Sequence, residues 1–371
     1  MLTALALITV SWSYGHALAA PGSVGVGVRT VEWVRNHGGA LPVSWAEDVW
    51  YRLHAPPKGG NPPPGAIPPA DHSAGQTRHK ASGRTHGPVH LPPPKPIPSI
   101  AHPPLPGEGH WHPAGRRVHG LPAVYVAYLR PDHVHTSLVA GVAWMDPKLL
   151  AAKLFAGNQQ PGGGPWPYMA PIPRHMRQSL VAAFNSGFKL QDAHGGFYAY
   201  GRTAKPLVKG AASLVVDKNG AVNVGTWGHE LHMSPRVAAV RQNLTLIVDH
   251  GRPVPGLGHG SYTRWGTTVG NQVLVWRSAV GITRHGALLY VAGDGLSVSS
   301  LANVLAHAGA VRGMEMDINS SWTSFYTFHP APGHPAKPAN ARKLLKAMVR
   351  PPKRYFVPSA RDFIALFARR P

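Results

Sequence analysis

Glu315 and Asp317 stand two residues apart at the end of an apolar run, in a chain with 37 basic residues and 15 acidic ones. On a strand that spacing puts both side chains on one face. Two carboxylates on one face are costly unless paired or hydrogen-bonded. They are therefore either a salt-bridged structural pair, with Arg312 the partner at hand, or a site in which an ionised carboxylate stabilises positive charge. Arg277 follows Trp276 inside a second apolar run. A buried arginine needs an anion or a network, and its planar fork suits phosphate. Asn185 and Lys189 flank Gly187, where the missing Cβ lets backbone approach a ligand closely. Each of the three stretches places a polar side chain where strand gives way to turn, the usual place for a rigid scaffold to carry chemistry.

The other acids have local explanations. Asp217 and Asp249 sit in hairpin-turn sequences, where Asp is a turn former. Asp294 precedes a helix and Asp132 lies in a turn, which leaves Asp192 beside Glu315 and Asp317. With no cysteine in the chain, disulfides, thiolate nucleophiles and Cys-ligated zinc are excluded. Histidines 72, 79, 86, 90 and 102 have irregular spacing and no accompanying carboxylates, so no metal and no cofactor are expected. A formal charge of +22 favours polyanionic partners such as envelope phosphates, anionic headgroups or nucleic acid. It equally fits a solvated basic surface. A nucleic-acid partner is not expected, because no zinc finger, helix-turn-helix or aromatic-basic strand signal is present.

The elements that would position these residues read as short strands with turn punctuation. Residues 123–130 and 135–144 form strands, with Pro131 and Asp132 between them. Asp217 to Gly220 joins strands 212–216 and 221–226. Thr283 to Gly286 joins 272–282 to 287–292. A helix over 297–308 has Leu301, Val304 and Leu305 on one face and Gly309 as its C-terminal stop. Further short helices are expected over 146–155, 343–348 and 362–368, the last with Ser359 and Asp362 as a capping box. The fold class is α+β: mixed, largely antiparallel sheets with a few short helices. Upstream, residues 1–20 read as a signal peptide or membrane anchor, with a small-residue site at Ala17 to Ala19. Residues 21–54 form a short helical segment and 55–107 a Pro/Gly/His-rich linker of extended polyproline type. Residues 108–371 are the folded domain. The chain is thus expected to be exported, extracellular or envelope-associated, with its N-terminus at a membrane surface.

In order along the chain, Asn185-Ser186-Gly187-Phe188-Lys189, Arg277-Ser278-Ala279-Val280-Gly281 and Asp317-Ile318-Asn319-Ser320-Ser321 resemble three segments of the phosphodiester glycosidase family. Those segments are Asn-Gly-Gly-Phe-Phe, Arg-Thr-Ala-x-Gly and Asp-Gly-Gly-Gly-Ser-Ser. The resemblance spans residues 116–365. Lys189 replaces an aromatic residue, and the third segment has lost its glycines. The family implies hydrolysis of a sugar-1-phosphodiester through an oxocarbenium-like transition state with a carboxylate beside C1, while an arginine holds the leaving phosphate. On that basis Asp317 is the carboxylate, Arg277 binds phosphate, and Asn185 and Asn319 position the sugar. Glu315, Lys189, Gly187, His194, Gly196 and Tyr198 would line the substrate. Tyr198, Trp265 and Trp322 either stack on sugar faces or pack in the core. The implied partner is a sugar phosphodiester or another anionic glycan. The alternative is a non-catalytic envelope-polyanion or glycan-binding module on the same fold, which the altered third segment favours.

Overall fold

The computed structural model describes residues 2–19, 22, 25–39, 42, 43, 49, 53–70, 89–257, 265 and 274–370. Three antiparallel sheets carry the fold, and their strands are numbered here in chain order. The largest has eight strands in the order β1 (His112–Val118), β2 (Leu121–Leu129), β3 (Ala140–Met145), β14 (Leu288–Leu296), β13 (Val275–Thr283), β15 (Ala310–Glu315), β11 (Leu246–Asp249) and β12 (Arg252–Pro253). A second, five-stranded sheet runs β7 (Arg202–Lys205), β6 (Phe197–Ala199), β10 (Val237–Gln242), β8 (Ala212–Asp217), β9 (Val222–Thr226). The third runs β17 (Ala341–Lys343), β16 (Phe325–Phe328), β5 (Leu180–Asn185), β18 (Phe363–Ala368), β4 (Leu150–Phe155). The α+β expectation holds.

β3, β5 and β10 are buried along their whole length; β3 and β5 accordingly read as nearly continuous apolar runs rather than as alternation, whereas β10 ends on the buried Arg241 and Gln242. One core joins the three sheets, with Val280 and Tyr290 from the first, Leu214 and Ala239 from the second, and Phe184 and Leu366 from the third. The opposite face of the eight-stranded sheet packs against the helix Val298–His307 through Leu301, Val304 and Leu305. That helix starts on a capping box of Ser297 and Ser300, and Gly309 follows it at φ +94°. The N-terminal part contributes α1 (Leu2–Ala19) and α2 (Val26–Asn36), joined by a hydrogen bond from Trp33 Nε1 to Ser13 Oγ at 3.0 Å. Among the described residues no helix is long and apolar enough to cross a membrane.

Several expected elements differ. Residues 146–155 are a turn followed by β4, and Asp146 accepts from the backbone N–H groups of Leu91 and Lys148, both at 2.8 Å, instead of capping a helix. Residues 362–368 form β18, which pairs with β5 and β4 through the whole run from Phe363. A short apolar run cannot be told from a buried helix by periodicity alone, and pairing on both edges decides it. β17 replaces the start of the helix expected at 343–348. The strand expected from 135 begins at Ala140, after a turn in which Asp132 accepts from the N–H groups of Val134 and His135. The stretch expected as linker docks at its C-terminal end. Ile97, Ile100 and Ala101 are buried, and Glu108 pairs with Arg130 at 2.9 Å. Residues 71–88 of that stretch lie outside the described residues.

Candidate active site

The three sequence segments meet at the ends of β5, β13 and β15. Asn185 closes β5 with both ends of its amide engaged. Its Oδ1 accepts from Tyr290 Oη at 2.7 Å and from the Ser324 N–H at 3.0 Å. Its Nδ2 donates to the Ser186 carbonyl at 2.9 Å and to Ser278 Oγ at 3.1 Å. Ser278 Oγ in turn donates to the Asp317 carbonyl at 2.7 Å, and the Asp317 N–H donates to the Ser186 carbonyl at 3.1 Å. One residue from each segment is thus stitched to the other two. Gly187 packs against Asn243, whose Oδ1 would lie 3.0 Å from an added Cβ. Asn243 also accepts from the Phe188 N–H at 3.1 Å and donates to the Glu315 carbonyl at 2.8 Å.

The two carboxylates have different partners, and neither is Arg312. Glu315 takes Arg277, with Nη1 to Oε1 at 2.5 Å, while the Arg277 Nε donates to the Leu296 carbonyl at 3.0 Å. Asp317 takes Arg361, with Nη2 to Oδ2 at 2.5 Å, and its Oδ1 accepts from the Asn319 N–H at 3.0 Å. Arg277 and Asp317 are therefore not an ion pair, although Ser278 links their strands. Arg312 instead donates to the Val224 carbonyl at 2.7 Å. Burial pushes the Glu315 carboxyl up to about 7, against the opposing pull of Arg277. Burial also raises Asp317, and Arg361 opposes it.

Around Asp317 lie three arginines that sequence reasoning passed over, Arg350, Arg354 and Arg361, with Trp322 among them and Asp362, expected as a helix cap, beside them. Asp362 pairs with Arg241 at 2.8 Å, and Arg241 also donates to the Phe188 carbonyl. The three arginines fall between the stretches read as helices, 343–348 and 362–368, where no element was expected. In a chain of charge +22 an arginine of the interior looks like one of the surface. The one available signal was the adjacency of Arg361 and Asp362 to the apolar run that becomes β18.

The remaining candidates spread out. Lys189 Nζ lies 3.7 Å from the Glu32 carboxylate of α2. Asn319 is exposed, with its side chain accepting from the Ser321 N–H. His194 lines a separate cavity of about 460 Å³ with Lys209 and Thr245. Gly196 lies where a Cβ would meet the Pro206 carbonyl at 2.1 Å. Tyr198 packs on the cluster of Val215, Leu231 and Val240, and Trp265 packs with the core beneath the eight-stranded sheet. Trp322 alone of the three aromatics stands at the carboxylate.

The phosphodiester glycosidase family model matches residues 178–348. Asn185, Arg277 and Asp317 all fall inside the matched segment, in line with the resemblance of the three motifs. No curated protein matches the chain. Among solved structures, the chain is similar to the zebrafish N-acetylglucosamine-1-phosphodiester alpha-N-acetylglucosaminidase catalytic domain auto-inhibited by pro-peptide. That match has 14% identity and a TM-score of 0.41, and covers 69% of this chain and 87% of that one. It is also similar to a hypothetical protein from Synechocystis, at 14% identity and TM-score 0.38, covering 70% of this chain and 64% of that one.

Proposed function

We propose that the chain is an exported hydrolase that cleaves a sugar-1-phosphodiester in an envelope or extracellular glycan. The observation that carries this is the joining of the three family segments at Asp317, a carboxylate 5% exposed and held by Arg361. The C1–O bond breaks, its electron pair leaves with the phosphate oxygen, water forms the new bond to C1, and the proton that water loses passes to solvent. Asp317 stabilises the developing oxocarbenium charge. Asn185 and Ser278 hold the Asp317 loop in register. Arg277 neutralises Glu315 beneath it and acts through the strand that bears Ser278. Asn319, exposed at the turn, is the side chain placed to meet the sugar. The apolar start of the chain and its charge of +22 support export to a polyanionic envelope.

The binding-module alternative draws on one observation: both Asp317 oxygens already have protein partners, Arg361 and the Asn319 N–H. Hydrolysis of a panel of sugar-1-phosphodiesters by the purified full chain, followed by release of free sugar, separates the two. Turnover that disappears in Asp317→Asn supports the hydrolase. Saturable glycan binding without turnover in either protein establishes the module.

A further inference from the structure

Three arginines converge just beyond the end of the family-matched segment. Arg350, Arg354 and Arg361 are 4%, 0% and 5% exposed. Their guanidinium carbons stand 4.3, 6.0 and 5.0 Å from the ring centre of Trp322. Some of their donors are used: Arg354 Nη1 reaches the Trp322 carbonyl at 3.0 Å and Ser324 Oγ at 2.8 Å, and Arg361 Nη2 reaches the Gly187 carbonyl at 3.1 Å as well as Asp317. Yet Nε and Nη2 of Arg350, Nε and Nη2 of Arg354 and Nε of Arg361 have no partner among the described residues. Leaving a buried donor unpaired is expensive, more so for a charged group. Planar guanidinium forks are the side chains best suited to several oxygens of one phosphate. We infer that Arg350, Arg354 and Arg361 form a binding site for a dianionic phosphate monoester group, beside Trp322 and Asp317.

Charge selects the monoester. Asp317 is the carboxylate paired inside the cluster, and neighbouring Asp362 is taken by Arg241. Three guanidiniums against one carboxylate leave a surplus of two positive charges. A phosphate monoester carries about −1.5 to −2 at neutral pH and matches that surplus; a diester carries a single charge. Burial and the neighbouring Arg354 push Arg350 down to about 9. A guanidinium keeps its proton in proteins, so this crowding acts as affinity for an anion. Glu32 of α2 also draws on Arg350, but it stands 3.7 Å from Lys189, whose positive charge offsets it. The site rests on the hydrolase reading only for the origin of its ligand. Cleavage at C1 turns a diester into a monoester, so a site selective for the dianion stabilises the leaving group as its charge grows and then holds the product.

The test is calorimetry on the full chain in a buffer free of phosphate and sulfate, with ethyl phosphate, inorganic phosphate and diethyl phosphate as probes. Ethyl phosphate is expected to bind at one site at least tenfold more tightly than diethyl phosphate. Arg350→Gln should weaken it at least tenfold and Arg350→Lys less, because Lys keeps the charge and loses the fork. Inorganic phosphate binding as tightly as ethyl phosphate identifies a general phosphate-dianion site. Equal affinity for the two esters, or unchanged ethyl phosphate binding in Arg350→Gln, overturns the inference. Should the Gln variant fail to fold, heating the wild-type chain with each ester decides the matter: stabilisation by ethyl but not diethyl phosphate supports the site, and equal stabilisation overturns it. Monoester binding without hydrolysis of any sugar phosphodiester defeats the hydrolase reading and leaves the site standing. Hydrolysis that ethyl phosphate does not inhibit defeats the site and leaves the hydrolase.

Discussion

Arg361 Nη2 lies 2.5 Å from Asp317 Oδ2, across 44 residues of sequence, with both side chains almost wholly buried. The carboxylate comes from the end of β15 in the family-matched segment, and the arginine from the lead-in to β18 beyond it. The pair therefore ties the candidate active site to the C-terminal strand of a different sheet.

That tie is unequal. Burial raises the Asp317 carboxyl despite Arg361, so the carboxylate is the member the fold strains to keep charged. Desolvation can exceed the Coulombic gain in such pairs. Asp317→Asn leaves Arg361 without its counter-charge beside two other buried guanidiniums, so it should cost about 3–5 kcal/mol and abolish hydrolysis. Arg361→Met strands a buried carboxylate and should cost about 3–5 kcal/mol. Urea unfolding of both variants at neutral pH checks this. Hydrolysis that survives in folded Asp317→Asn would remove the case for Asp317 as the working carboxylate.

Glu315 gives a pH dependence with a defined sign. Its folded carboxyl lies at about 7, above the ordinary 4.5. Between those values the native protein holds a proton that the unfolded chain has released, so its stabilising contribution is complete below about 4.5 and is lost as pH rises through 7. The shift corresponds to about 3 kcal/mol. His329 is pushed down to about 4 by burial and works in the opposite direction over 4 to 6.5, so the wild-type profile alone is a composite. The difference between wild type and Glu315→Gln isolates the carboxyl. Relative to the variant, wild type should lose stability from about pH 4.5 to about pH 8. A difference independent of pH would mean that Arg277 keeps Glu315 ionised throughout.

The sequence disclosed the three segments that build the site, because each combines a strand with an out-of-place polar residue, and Asn185, Ser278 and Asp317 do meet. It did not disclose who pairs with whom. Arg277 and Asp317 share an order of motifs, but pairing depends on register: Ala279 stands opposite Glu315, which brings Glu315 within reach of Arg277, while Asp317 lies past the strand end and turns towards β18. That strand was misread because Phe363 to Phe367 is apolar at every position and has no period to betray it. The burial of Ile97 and Ile100 was hidden by their proline-rich surroundings, whose composition argues for extension whether or not the segment docks.

Asn185 separates a residue that touches the sugar from one that shapes the loop around it. The family resemblance assigns it to sugar positioning, whereas here its amide is engaged with Tyr290, the Ser324 N–H, the Ser186 carbonyl and Ser278. Removing the amide leaves the buried Tyr290 hydroxyl and Ser324 N–H without their acceptor, each costing about 1–3 kcal/mol. Asn185→Ala should therefore destabilise the fold by about 3 kcal/mol or more. Asn185→Asp keeps both acceptor contacts but cannot donate to the Ser186 carbonyl and buries a charge, so it should be no milder. Among molecules that remain folded at low temperature, Asn185→Ala should lower kcat more than it raises KM, because the misplaced part is the Asp317 loop rather than a contact with bound sugar. Denaturant unfolding and steady-state kinetics on the same preparation test both halves. An Asn185→Ala protein of wild-type stability with KM alone raised would return Asn185 to the sugar and take away its part in holding Ser278 and Asp317 together.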